Sequence, residues 1–251
     1  MRKKLLLGNW KMNLLVGEAK AFALASTSLT QKAKQHNVML GVAPTYLGLQ
    51  TVLANNPDLI VAAQDMHFES KGAFTGEISG DMLKDLGVSW TLIGHSERRS
   101  YFGETNFSCN KKIKKALSLG FTVVYCVGET AKEYEENQTK QIIHDQLSVG
   151  LQGVSEEEFS RIVIAYEPVW SIGTGLNASA EHAQDICSYI RQTLATLSSS
   201  KAADAIQILY GGSVKPANVK TYLLQNDVDG ALVGGASLTV ESFEALLNEM
   251  M

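Results

Sequence analysis

The sequence predicts an α/β fold in which eight parallel strands and their outer helices close into a (β/α)8 barrel, one domain over residues 1–251. Three observations predict it. Short runs rich in Val, Ile, Leu and Ala recur eight times, as strands buried on both faces should read. Longer segments of helical spacing separate them. No Pro/Gly/Ser-rich linker divides the 251 residues, which hold four prolines; about 250 residues is the usual length of eight strand–helix units. A doubly wound open sheet is the other closure of such an alternation, and eight units in this length favour the barrel.

The strand runs fall near 5–10, 38–43, 59–64, 90–94, 121–127, 162–167, 206–210 and 229–234. Between them, residues 17–35 set Ala, Phe and Leu among Glu, Lys and Ser. Residues 106–119 carry Cys109, Ile113, Ala116 and Leu117 at i, i+4, i+7 and i+8, with lysines on the other face. Residues 131–150 carry Tyr134, Ile142, Ile143 and Leu147 in a charged background, and 179–199 and 239–250 read similarly. Ser179, with His182 three residues on, and Thr239, before Glu241, mark helix starts. The third and seventh connections hold shorter helical patterns.

Composition narrows the function. Lys plus Arg is 22 and Asp plus Glu 26, so the net charge is 22 − 26 = −4. With 45% hydrophobic and 19% charged residues and a mean hydropathy of −0.02, the chain is globular in composition. A pI near 5.8 leaves no general basic footprint for nucleic acid. No apolar run approaches the roughly 20 residues of a membrane helix. The run Leu5-Leu6-Leu7 after Met1-Arg2-Lys3-Lys4 stops at Gly8-Asn9-Trp10-Lys11, short of a signal peptide, and reads as a buried strand. Cys109, Cys126 and Cys187 are widely spaced with no CxxC, which points to reduced thiols in a cytoplasmic protein. The five histidines show no metal-ligand spacing.

In such a barrel the working groups stand at the C-terminal ends of strands. The unusual residues lie there: Asn9-Trp10-Lys11 after the first run, Gly94-His95-Ser96-Glu97 after the fourth, Gly128-Glu129 after the fifth, Glu167 to Gly175 after the sixth, Gly211-Gly212-Ser213 after the seventh and Gly234-Gly235 after the eighth. One glycine pair is an ordinary tight turn; pairs after both last strands point to phosphate, because glycine lets backbone N–H groups approach an anion closely. Glu167 ends an apolar strand, where it is either a salt-bridge partner or a general base with a pKa raised by burial. His95, opposite it, begins a polar segment whose helix N-terminus would keep the ring neutral. Lys11 supplies positive charge to a phosphate site, and Glu97, two residues beyond His95, is a candidate either to anchor it or to hold its own loop. Pro168 and Trp170 make a stiff start, and Gly173 and Gly175 a pliant end, to a segment built like a hinged lid.

These residues make the chain recognisable. It resembles the triosephosphate isomerases from end to end, through Gly8-Asn9-Trp10-Lys11-Met12-Asn13, Gly72-Ala73-Phe74-Thr75-Gly76-Glu77-Ile78-Ser79, Gly94-His95-Ser96-Glu97-Arg98-Arg99, Ala165-Tyr166-Glu167-Pro168-Val169-Trp170, Tyr210-Gly211-Gly212-Ser213 and Asp229-Gly230-Ala231-Leu232-Val233-Gly234-Gly235. The resemblance implies a TIM barrel that interconverts dihydroxyacetone phosphate and glyceraldehyde 3-phosphate without metal or other cofactor. It makes Glu167 the base and His95 the neutral electrophile, an assignment that is a standard worked case of pKa tuning. Lys11 and Asn9 become electrostatic stabilisers, and Glu97 a carboxylate beside Lys11. Gly173, Ser213, Gly234 and Gly235 become phosphate donors, and 168–176 the lid. It further implies a homodimer in which the loop around Thr75 docks near Met12 and Asn13 of the neighbouring subunit.

Three positions depart from the common pattern. Ser171 stands where many members have alanine, Leu176 where many have lysine, and Asp65 where asparagine is common, near the implied interface. The first two bear on lid motion and the third on dimer tightness. Two other readings compete: a different phosphate-binding barrel enzyme using Lys11 as a Schiff-base nucleophile or a metal in epimerisation, and a phospho-ligand binder without catalysis.

Overall fold

Every apolar run forms a strand: β1 (Lys4–Asn9), β2 (Val38–Ala43), β3 (Ile60–Ala63), β4 (Trp90–Ile93), β5 (Thr122–Val127), β6 (Ile162–Tyr166), β7 (Gln207–Tyr210) and β8 (Gly230–Val233). The structure is a computed structural model that describes residues 2–172 and 177–251. The strands pair in sequence order, and β1 also pairs with β8, from Leu5 with Gly230 to Gly8 with Val233, so the sheet closes. That pairing settles the choice between barrel and open sheet. Each pairing is parallel.

Alternation along the strands divides the apolar residues between two cores. Leu5, Leu7, Ala43, Ala62, Leu92, Val124, Cys126, Val163, Ala165, Leu209 and Leu232 fill the barrel. Their neighbours Leu6, Ile93, Ile164 and Tyr166 face the surrounding helices. Each buried Leu or Ile contributes about 1.5–3 kcal/mol.

The helices follow the expected pattern with two corrections. The 17–35 segment is two helices, Val16–Ala25 and Thr27–Gln35. Ser26 breaks it: its Oγ donates to Ala23 O at 3.1 Å and accepts from Asn56 Nδ2 at 3.1 Å, so the side chain competes with the helix ladder. The 131–150 segment splits into Ala131–Glu135 and Thr139–Gly150 around Asn137, which takes the left-handed conformation (φ 56°). Ser179 and Thr239 cap as predicted, accepting from the backbone N–H groups of His182 (3.1 Å) and Ser242 (3.3 Å). Helices at Tyr46–Asn55, Ser96–Phe102 and Ser200–Ala205 add to those the spacing revealed.

Candidate active site

Strand parity carries most of the site to the barrel mouth. Leu7, Ala62, Ala165, Leu209 and Leu232 point inward, so the residues two further on, Asn9, Gln64, Glu167, Gly211 and Gly234, continue the inward row past the strand ends. His95 is the exception. Leu92 faces in and Ile93 faces out, so simple alternation would turn His95 toward the helices. Gly94, at φ 79°, breaks the alternation and returns His95 to the mouth.

Asn9, Lys11, His95, Glu167, Ser213, Gly234 and Gly235 line one cavity of about 770 Å³, together with Ile172, Gly211 and Gly212. Gly173 lies outside the described residues, as does the lid segment beyond Ile172. Glu97 is not in the cavity wall; its Oε1 holds Lys11 Nζ at 2.6 Å from the far side. Asn9 Oδ1 accepts the Lys11 N–H at 3.0 Å. Gln64 Nε2 donates to the carbonyls of Lys11 (2.7 Å) and Ala43 (2.9 Å). These contacts hold Lys11 in a left-handed conformation (φ 52°) that costs about 1–3 kcal/mol in a non-glycine residue. The sequence reading passed over Gln64, although the same strand-end logic applies to it.

Glu167 and His95 are both buried and face each other, Oε1 to Nε2, at 3.0 Å. The other Glu167 oxygen accepts the Ser96 N–H at 3.0 Å. His95 caps the helix Ser96–Phe102, its Nδ1 accepting the Glu97 N–H at 3.2 Å. With Nδ1 used as an acceptor, the ring proton belongs on Nε2, directed at Glu167. Burial alone raises a carboxyl pKa, as the strand end led one to expect. Here His95, the Ser96 N–H and Lys11 outweigh it, and the Glu167 pKa lies below its ordinary value. Burial likewise presses the His95 pKa down, but the Glu167 carboxylate outweighs it and the net shift is upward while the two touch. Gly128 makes this packing possible: a Cβ there would sit 1.7 Å from the Glu167 carbonyl oxygen.

The chain belongs where two comparisons put it. The triosephosphate isomerase family profile matches residues 4–250. A triosephosphate isomerase of Carboxydothermus hydrogenoformans is 46% identical over 250 residues, which cover 98% of each chain. This chain is a member of the triosephosphate isomerase family. Its activity is the isomerisation of a triose phosphate. No observation favours either competing reading: the Lys11 ammonium is engaged by Glu97, where a Schiff-base nucleophile needs a free, desolvated amine.

Next to the site, the family member carries a buried charge cluster and a buried carboxylate held by neutral donors. Lys112 Nζ meets both Asp65 oxygens at 2.8 Å and also Glu104 Oε1, while Arg98 Nε lies 2.7 Å from Asp65 Oδ2. Asp65, flagged by its departure from asparagine, is thus paired. Burial still holds its carboxyl above the usual range, with Lys112 pulling against it and Glu104 adding to it. Glu104 also accepts the Gly94 N–H at 3.0 Å, tying the cluster to the turn that aims His95.

The second group holds Trp170, in the stiff start of the segment read from the sequence as a lid. Glu129 is fully buried; its Oε1 accepts from Trp170 Nε1 at 2.7 Å and from Tyr166 Oη at 3.1 Å. Trp170 also stacks on Tyr134, centroids 4.5 Å apart. The stiff start predicted for the lid is therefore a set of side-chain contacts as well as a proline. Burial pushes the Glu129 carboxyl above 4.5, only partly offset by the indole and hydroxyl donors. A raised folded-state pKa means the folded protein holds the proton more tightly. Its favourable contribution is complete below the unfolded value and is lost as pH rises through the folded one. Thermal melts of wild type and Glu129→Gln should therefore diverge in favour of the variant as pH rises above about 4. Parallel pH dependences would show that burial does not govern this carboxyl.

Among the described residues, no helix is long and apolar enough to cross a membrane. Cys109, Cys126 and Cys187 are all buried free thiols.

Proposed function

We propose that this isomerase interconverts dihydroxyacetone phosphate and D-glyceraldehyde 3-phosphate through an enediolate, with Glu167 as the base that carries the proton between the two carbons. His95 polarises the carbonyl from Nε2. Lys11 and Asn9 stabilise the charge that develops on the substrate oxygens, and Glu97 acts through Lys11 by fixing its ammonium. Ser213, Gly234 and Gly235 receive the phosphate, together with Gly173. The observation that carries the reading is the 3.0 Å contact of a buried carboxylate with a histidine nitrogen in the same cavity as the glycine-rich ends of β7 and β8.

The same geometry suggests how the base is readied. With Glu167 held by His95 and Ser96, its pKa is low and it is a weak base. Moving the carboxylate from those partners to a substrate carbon removes the favourable contacts and leaves burial, so its basicity rises at the moment of use. His95 loses the anion that raised its pKa, while burial and the Glu97 N–H remain, both of which favour the neutral ring. One movement thus raises the basicity of Glu167 and lowers that of His95. The test is turnover of purified protein with glyceraldehyde 3-phosphate, assayed without added metal or cofactor. Ready formation of dihydroxyacetone phosphate is expected; folded protein that forms none would overturn the reading.

The proposed working unit is a cytoplasmic homodimer of single barrel domains, each spanning residues 1–251. Its support is the exposed apolar side chains around a hollow of about 220 Å³ lined by Met12, Tyr46, Arg98 and Phe102. Met12 is 93% exposed, Phe102 69% and Phe74 43%. Phe74 packs on His67 beside the Thr75 tip, centroids 4.4 Å apart. An arm and a hollow of this kind suit each other across a two-fold axis. Sedimentation should give twice the 27.2 kDa chain mass, and Thr75→Arg should shift it to the single chain. A wild-type monomer would sink this assignment.

A further inference from the structure

We propose that Lys215 is the capture residue for the substrate phosphate: it draws the dianion into the cavity mouth and takes no part in proton transfer. This rests on the triose-phosphate reading of the cavity.

Lys215 lines the same cavity as His95 and Glu167, two residues beyond Ser213. Its backbone is held in place. The Lys215 N–H donates to Asn218 Oδ1 at 2.8 Å, and Asn218 Nδ2 donates to Ser213 O at 3.0 Å. Its side chain is exposed, and no acidic partner reaches its ammonium among the described residues. Lys11, the other lysine of the cavity, is neutralised by Glu97 at 2.6 Å.

Charge counting gives the consequence. The Lys11–Glu97 pair cancels, and Glu167 leaves one negative charge at the bottom of the cleft, since His95, its Nδ1 spent on the Glu97 N–H, carries a single ring proton. The chain as a whole carries −4. A phosphate dianion therefore approaches a surface and a cleft of its own sign. Lys215 is the unpaired cation at the phosphate end and brings the local sum to zero. A cleft with low-dielectric walls focuses such a charge, so one lysine there changes encounter rates more than one on an open face.

The test measures association of 2-phosphoglycolate by stopped-flow tryptophan fluorescence, with kcat/KM and kcat measured in parallel. The variants are Lys215→Gln, Lys215→Glu and Lys215→Arg. Lys201→Gln, on the exposed helix Ser200–Ala205 that leads into the opposite end of β7, makes the same change in net charge away from the cleft. At about 10 mM ionic strength, where the screening length is about 30 Å, the Gln variant should lose about 3- to 10-fold in association rate and in kcat/KM. The Glu variant should lose more, Arg should restore the rate, and kcat should move less than about twofold. Near 1 M salt the variants should converge, since screening then acts within about 3 Å. An association rate for Lys215→Gln equal to wild type at low salt would overturn the proposal. So would a loss that persists at high salt, or an equal loss in Lys201→Gln. Absence of turnover in wild type would count against the isomerase reading, while the binding rates would still decide the role of Lys215.

Discussion

Glu167→Asp is expected to lower kcat by about a hundredfold or more, because it keeps the charge and withdraws the carboxylate by roughly 1 Å from the carbon that the proposed base would serve. The contacts that hold the phosphate are untouched, so the dissociation constant of 2-phosphoglycolate should stay within about threefold. That split separates a base from a binding residue. A residue that merely braces β6 would change both constants together, through the packing against Gly128 and Gly211. Loss of turnover should also be steeper than loss of stability. Glu167 makes two hydrogen-bonded contacts in the resting site, and aspartate is short of both. Equal kcat for variant and wild type would remove Glu167 as the proton carrier.

Lys112→Met is expected to cost about 3–5 kcal/mol of folding stability, the usual result of taking one member from a buried ion cluster. Methionine fills most of the space, so lost packing is a minor part. What remains is Asp65 and Glu104 beneath the surface without the ammonium they shared, and Arg98 in contact with Asp65. In the native cluster the two carboxylates hold the Lys112 pKa up against burial, which measures the same coupling from the lysine's side. The loss should be pH-dependent with a definite sign. Burial already holds the Asp65 carboxyl up and Lys112 pulls against it, so without Lys112 the variant regains stability as pH falls below neutral and Asp65 takes up a proton. Chemical denaturation at about pH 5 and pH 8 checks this, and a loss of equal size at both would mean a packing defect instead. Since Glu104 also fixes the Gly94 N–H, kcat should fall at pH 8 along with stability.

Strand parity explains how much of this molecule was legible in its sequence. The strands were readable because both faces are buried, one against the barrel interior and one against helices, leaving runs such as Leu5-Leu6-Leu7 and Ile162-Val163-Ile164 without polar interruption. Asn9, Glu167, Gly234 and Gly235 stand out because each interrupts such a run where the strand ends, and Ser213 because it follows the Gly211-Gly212 pair there. Three things were not readable. The Ser26 break depends on Asn56 from another helix, and no local pattern reports that contact. The pKa of Glu167 depends on which partners its carboxylate meets, so burial alone predicted the wrong direction for the resting site. The pairing of Asp65 with Lys112 joins residues 47 positions apart in sequence, so an acidic residue looked like an oddity of the interface. Lys215 was overlooked for a different reason: an exposed lysine in a loop carries no signal until the cavity it borders is known.

The closure of β1 onto β8 also bears on how the chain reaches its native state. The strand that leaves the ribosome early gains its second neighbour only when the last strand has followed it out. Until then the growing sheet has two open edges, and Leu5 and Leu7 lack the opposite wall that keeps them dry. Such edges invite pairing with other nascent chains. The early product of translation is thus the form most exposed to aggregation, and completion of the ring removes both edges in a single step.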